Sequence, residues 1–198
     1  MLLAGLVDDA HHVIRYLCSE EARISHRIDP RQIVLVGHSV GAWVALIAAA
    51  ADAKIHCPAS LDGYNLGKVE SLMQTDAQEK DDMIRFLVQT TDPDSEPIRA
   101  SAQDLAAPLM SNPAAFDLAQ QAQALQDNTV LLLSGFHDDV AKPAQHIQPL
   151  EEAFRAAGMD GLTVKVLENG DHAASADRNA LTRTLLRWLR KDCQLVEW

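Results

Sequence analysis

Cysteine is scarce in this chain of 198 residues, with three in all. Cys18, Cys57 and Cys193 are odd in number and widely spaced, which fits reduced, structural thiols better than a disulfide framework and so predicts a cytoplasmic location. Positive charge is short as well. Lys and Arg number 17 against 28 Asp and Glu, for a formal net charge of −11. The cations are scattered, so nothing tracks a phosphate backbone and a nucleic-acid partner is excluded. Long apolar runs are missing too: the best, residues 40–51, is about half of the roughly 20 residues needed to span a bilayer, so no membrane role is expected. Met1 to Val7 is apolar but has no basic start and runs into Asp8 and Asp9, unlike a signal peptide. Internal repeats and low-complexity tracts are absent. No metal is expected, because His11 and His12 are adjacent on a helix and face different ways, and His137 and Asp138 have no second ligand set spaced near them. No cofactor is implied.

What is present is a hydrophobic content of 47%, enough for one good core. A single α/β domain over residues 1–198 is expected. Its organising stretch is residues 32–46, Gln-Ile-Val-Leu-Val-Gly-His-Ser-Val-Gly-Ala-Trp-Val-Ala-Leu. Ile33 to Val36 shows no polar alternation, which suits a strand buried on both faces of a parallel sheet. Val40 to Ala51 is apolar nearly all round, as in a helix packed inside a domain. Between them, Gly37-His38-Ser39-Val40-Gly41 reads as a nucleophile elbow, a strained strand-to-helix turn with Ser39 at its tip. Gly37 and Gly41 fill the two places where a side chain is expected to clash with the neighbouring strand or helix. A Gly-x-Ser-x-Gly string arises by accident in about one in twenty chains of this length. The strand before it and the helix after it are the context that gives it meaning.

With these residues in view the chain resembles the α/β-hydrolases, in particular the prolyl-oligopeptidase-like and dienelactone-hydrolase-like branch. The resemblance runs from about Leu6 to the last helix. Ala42 departs from it, standing where many relatives carry another glycine. The resemblance implies several strands and a helix ahead of the elbow, including the loop that supplies a second oxyanion-hole N–H. This chain shows no such segment, so a truncated α/β-hydrolase is expected, with about four parallel strands and flanking helices. The elbow strand is then left with an apolar edge. Two explanations stand side by side: a truncated product or a chain completed at that edge by a second copy or another protein, and a start site assigned too far downstream.

The rest of the chain alternates strand and helix, which argues a parallel sheet covered on both sides. Leu3, Leu6, Ala10, Val13 and Leu17 mark an amphipathic helix over about residues 2–19. Asp29-Pro30-Arg31 turns the chain into the elbow strand. Lys54 to Leu61 reads as a second strand closed by Asp62-Gly63. Residues 63–127 read as a helical insertion that caps the pocket. Within it, Met83, Ile84, Leu87 and Val88 share a helix face, Asp92 to Pro97 is a turn-rich break, and Asn112-Pro113 starts a helix carrying Phe116, Ala119 and Leu125. Thr129 to Leu133 is a third strand. Ile147, Leu150, Phe154 and Ala157 lie on a helix ended by Gly158. Leu162 to Leu167 is the last strand, and a helix over about Ala174 to Lys191 buries Leu181, Leu185, Trp188 and Leu189.

Acyl transfer by serine needs a base to take its proton and an acid to hold that base in the right tautomer. In this fold the order is Ser, then acid, then His. Ser39, Asp138 and His172 follow that order, each just past an apolar strand, on the sheet edge where ligands bind. Asp139 and Asp62 remain alternative acids. The Val40 N–H, at the positive end of its helix, is the candidate oxyanion donor. His38 adjoins Ser39 but is expected to point elsewhere and serve as packing or a polar lining. The expected function is a serine hydrolase acting on small-molecule esters or amides through an acyl-enzyme. Two alternatives stand beside it: a prolyl-oligopeptidase-like peptidase, and a catalytically impaired remnant with an assembly role.

Overall fold

The computed structural model describes residues 2–91 and 100–195, so the turn expected at Asp92 to Pro97 lies outside the described residues. Helix α1 (Leu2–Leu17) and the short α2 (Glu20–His26) lead through a turn at Pro30–Gln32 to strand β1 (Val34–His38). The Ser19 hydroxyl caps α2 by accepting the Ala22 N–H at 3.1 Å, and Asp29 caps the Pro30 turn by accepting the Arg31 N–H at 3.0 Å. The apolar helix α3 (Val40–Ala51) follows at once, then β2 (Cys57–Leu61). Helices α4 (Val69–Thr75), α5 (Ala77–Thr90) and α6 (Ala102–Ser111) precede β3 (Val130–Gly135). After β3 come α7 (Pro143–His146), α8 (Gln148–Ala156), β4 (Leu162–Leu167) and the closing helix α9 (Arg178–Lys191).

All neighbouring strands pair in parallel, in the order β1-β2-β3-β4. Because successive strands step across the sheet in one direction, right-handed crossovers place the linking helices on one face. That face holds the larger core, in which Leu46 and Ala48 of α3, Val130 and Leu132 of β3, and Leu150 and Phe154 of α8 meet Ile14 of α1. On the opposite face Cys57, Ala59, Leu61, Leu131, Leu133 and Leu167 pack against Trp188 of α9. The α/β/α layering expected from the sequence is therefore the architecture found.

Three local expectations need correction. The elbow strand is not buried on both faces: among the described residues β1 lies at the sheet edge, and Val36 is 45% exposed. On α5 the core-facing pair is Met83 and Leu87, whereas Ile84 and Val88 turn outward. Phe116, Ala119 and Leu125 do not share a helix. They lie along two 3₁₀ turns, Pro113–Phe116 and Leu118–Gln121, and the turn after them. The break falls at Asp117, held extended while its carboxylate accepts the Ala119 N–H at 3.0 Å and the Asn65 side-chain amide at 2.7 Å.

The segment between β2 and β3 is fastened to the elbow helix. Trp43 Nε1 of α3 donates to the Phe116 carbonyl at 2.8 Å, and the two rings stack with centroids 5.7 Å apart. The expectation of three reduced thiols also fails. Cys57, at the start of β2, forms a disulfide with Cys193, just past α9, while Cys18 is free. Sequence spacing concealed this, because α9 runs back along the sheet and brings position 193 beside a strand that begins 136 residues earlier. The cysteines therefore no longer point to a reducing compartment. No helix of the described residues is long and apolar enough to cross a membrane.

Candidate active site

Ser39 adopts φ 56° and ψ −123°, a sparsely populated conformation for a residue with a side chain. The surrounding backbone holds it there. Its N–H donates to the Leu61 carbonyl at 3.0 Å, and its own carbonyl accepts from Ala42 at 3.0 Å and Tyr64 at 3.2 Å. Serine is a favoured N-cap residue, yet the Ser39 hydroxyl does not cap α3. It lies instead 3.1 Å from His172 Nε2.

The two elbow glycines play unequal parts. A Cβ on Gly37 would sit 2.0 Å from the Gly41 carbonyl oxygen, so strand and helix touch there with no room for a methyl group. A Cβ on Gly41 would meet nothing within 4 Å, contrary to the expectation that both positions exclude a side chain.

His172 is placed by the turn after β4. Gly135 and Gly170 lie back to back, where a Cβ on Gly135 would be 2.4 Å from the Gly170 oxygen. The His137 N–H donates to that same oxygen at 2.8 Å. This close approach brings the loops after β3 and β4 together, and His172 Nδ1 meets Asp138 Oδ2 at 2.9 Å. The other oxygen of Asp138 accepts the N–H groups of Val140 at 2.9 Å and Ala141 at 2.7 Å. Burial of Asp138 pushes its pKa up, but the His172 bond and these two amides outweigh that and hold it below the usual carboxylate range. For His172 burial pushes the pKa down, and the Asp138 carboxylate more than reverses this, leaving the imidazole above its ordinary value.

The structure thus brings Ser39, His172 and Asp138 into one hydrogen-bonded line. Asp139 is exposed, and the described residues give it no bond to His172. Asp62 is also near but is engaged elsewhere. It is 1% exposed, with φ 47°, and its Oδ1 accepts the Gly135 N–H at 2.6 Å. Burial, opposed by that amide and aided by the nearby Asp138 charge, raises its pKa to about 6. Val40 opens α3, so its N–H is among the first-turn donors that have no partner within the helix.

Two histidines gain settings that their sequence positions did not announce. His38 does not point away from the site: its Nε2 lies 2.6 Å from the His172 carbonyl oxygen, with ring centroids 4.8 Å apart. His146 is fully buried against Tyr64, accepts the Asn65 N–H at 3.2 Å, and is kept neutral by burial, which lowers its pKa to about 4. It links the loop after β2 to α7, a tie between residues 65 and 146 that no local pattern could reveal.

Comparison with known proteins bears on the fold. No curated protein sequence matches the chain. Among solved structures, the chain is similar to a Mycobacterium tuberculosis puromycin-hydrolyzing peptidase, at 19% identity and a TM-score of 0.66 over 96% of this chain and 25% of that one. It is similar to the Pyrococcus horikoshii acylaminoacyl peptidase at 13% identity and a TM-score of 0.62, covering 96% of this chain and 28% of that one. The esterase domain of a Rhodothermus marinus protein matches at 17% identity and a TM-score of 0.57, over 93% of this chain and 68% of that one. The chain therefore spans about a quarter of the length of the two peptidases. At such identities these likenesses speak for the fold. The model of the alpha/beta hydrolase family matches residues 3–190, nearly the whole chain, and the chain belongs to that family.

Proposed function

We propose that the chain is a serine hydrolase that cleaves carboxylic esters, and amides more slowly, through a covalent acyl-enzyme. The observation that carries this reading is the line from Ser39 Oγ through His172 to Asp138, at 3.1 and 2.9 Å. Asp138 accepts the Nδ1 proton of His172, which leaves the Nε2 lone pair free to face the serine. His172 takes the Ser39 proton as Oγ attacks the substrate carbonyl. The oxyanion forms at the start of α3, where the Val40 N–H and the helix dipole favour negative charge. His172 then returns the proton to the leaving alkoxide or amine, the C–O or C–N bond breaks, and an ester joins the acyl group to Ser39. Water, deprotonated by the same imidazole, releases the acid.

Esters come first because an alkoxide leaves more readily than an amine and asks less of a site with one assigned oxyanion donor. Fluorophosphonate treatment followed by peptide mass spectrometry tests the reading. An adduct at Ser39, lost in Ser39→Ala, is the expected result. A folded protein that carries no adduct at Ser39 overturns it in favour of an inactive member with an assembly role.

A further inference from the structure

His38 is the residue immediately before Ser39, at the end of β1, and its Nε2 lies 2.6 Å from the backbone oxygen of His172. A carbonyl oxygen can only accept, so the imidazole carries its proton on Nε2 and donates it. The ring also lies against that of His172, centroids 4.8 Å apart and planes inclined at 49°. One residue is thus held at both ends. The side chain of His172 is fixed by Asp138, and its main chain is fixed by His38.

The other bonds of this loop do not perform that task. Asp171 accepts the N–H groups of Ala173 and Ser175, and Asp177 accepts that of Asn169, all within the loop. The Gly170 carbonyl ties it to His137, on the loop after β3. Among the described residues, the remaining hydrogen bond between the loop and the elbow is the one from Ser39 to the His172 ring. Among the described residues, the His38 bond is therefore the one that joins the elbow to the main chain of this loop.

We propose that His38 is a positioning residue for His172: its Nε2–H, donated to the His172 carbonyl, keeps the imidazole in reach of Ser39. The proposal rests on the reading of Ser39 as nucleophile and His172 as its base. Geometry of this kind matters because a misplacement of about 1 Å between reacting groups can cost on the order of 10²-fold in rate.

Amide side chains separate the bond from the bulk of the ring. In His38→Gln the side-chain amide nitrogen reaches the place of Nε2 and can donate to the same oxygen. In His38→Asn it ends at the place of Nδ1 and falls short. The fluorophosphonate labelling rate at Ser39 is expected to fall about tenfold in His38→Asn and His38→Ala, the scale of one lost hydrogen bond, and to stay close to wild type in His38→Gln. Equal rates in all four proteins, or a His38→Gln rate as low as that of His38→Asn, would overturn the proposal.

A second measurement stands apart from activity. The His172 Nδ1 proton, shared with Asp138, is followed by proton NMR, and its exchange with solvent should quicken in His38→Asn and recover in His38→Gln. If wild type itself fails to label, the functional reading fails, and the exchange pattern still decides the role of His38. Unchanged exchange in every variant refutes it.

Discussion

At the scale of single residues, two carboxylates near one histidine have opposite environments. Asp138 gathers donors on both oxygens, whereas Asp62 has one amide and an Oδ2 buried with no partner among the described residues. If Asp138 orients His172, Asp138→Asn should slow labelling of Ser39 by about 10³- to 10⁴-fold, as when the imidazole takes the wrong tautomer. Asp139→Asn should leave it unchanged. In the wild type the rate should rise with pH through a midpoint above the ordinary imidazole value of 6.5, because neutral His172 is the reactive form and Asp138 favours the charged one. A pH–rate profile of wild type and both variants checks this. Asp62 bears on stability instead. Its pKa is raised from 3.8 to about 6 in the folded chain, so its contribution is fully present below about pH 4 and is lost as pH rises through about 6. An asparagine side chain in its place would keep an acceptor for the Gly135 N–H without the charge. Relative to wild type, Asp62→Asn is therefore expected to gain roughly 2 kcal/mol of stability between pH 4 and pH 8, as read by thermal unfolding at the two pH values.

At the scale of elements, the elbow works by contact between β1 and α3, and its two glycines separate that contact from mere sequence pattern. Gly37→Ala drives a methyl group into the Gly41 backbone, where neither the strand nor the helix can yield without moving Ser39. A loss of several kcal/mol, or failure to fold, is expected. Gly41→Ala meets open space within α3, so it should be neutral or stabilise by about 0.5–1 kcal/mol, the helix-propensity difference between glycine and alanine. Urea denaturation of the pair tests both signs. The segment between β2 and β3 joins the same construction. Trp43 reaches from α3 to the Phe116 carbonyl, and Asn65 and Asp117 lock the loop after β2 to the turn before β3. Gly67 is needed at that junction, since a Cβ there would lie 2.2 Å from the Cα of Asp117.

At the scale of the whole molecule, the Cys57–Cys193 bridge closes the chain from the base of β2 to the end of α9, across a separation of 136 residues. Cross-linking so long a loop typically stabilises by about 2–4 kcal/mol. Reduction by a dithiol, or Cys193→Ser, should therefore lower the unfolding temperature by several degrees. Scanning calorimetry with and without reductant measures it. The alternation of apolar runs and helical periods and the elbow string around Ser39 were legible in the residues alone. Each depends on local geometry, namely the period of a strand or helix or the turn that glycine permits. The bounds of α3 and β4 followed directly from composition. What tertiary structure decided was every relation between distant segments. It brought Asp138, rather than Asp139 or Asp62, within hydrogen-bond reach of His172, through the back-to-back approach of Gly135 and Gly170. It turned His38 toward the His172 carbonyl, joined Cys57 to Cys193, and left Gly41 unconfined. Neither distance nor orientation between residues far apart in the chain is encoded in a periodicity, so these facts exist only once the strands have paired and the helices have packed upon them.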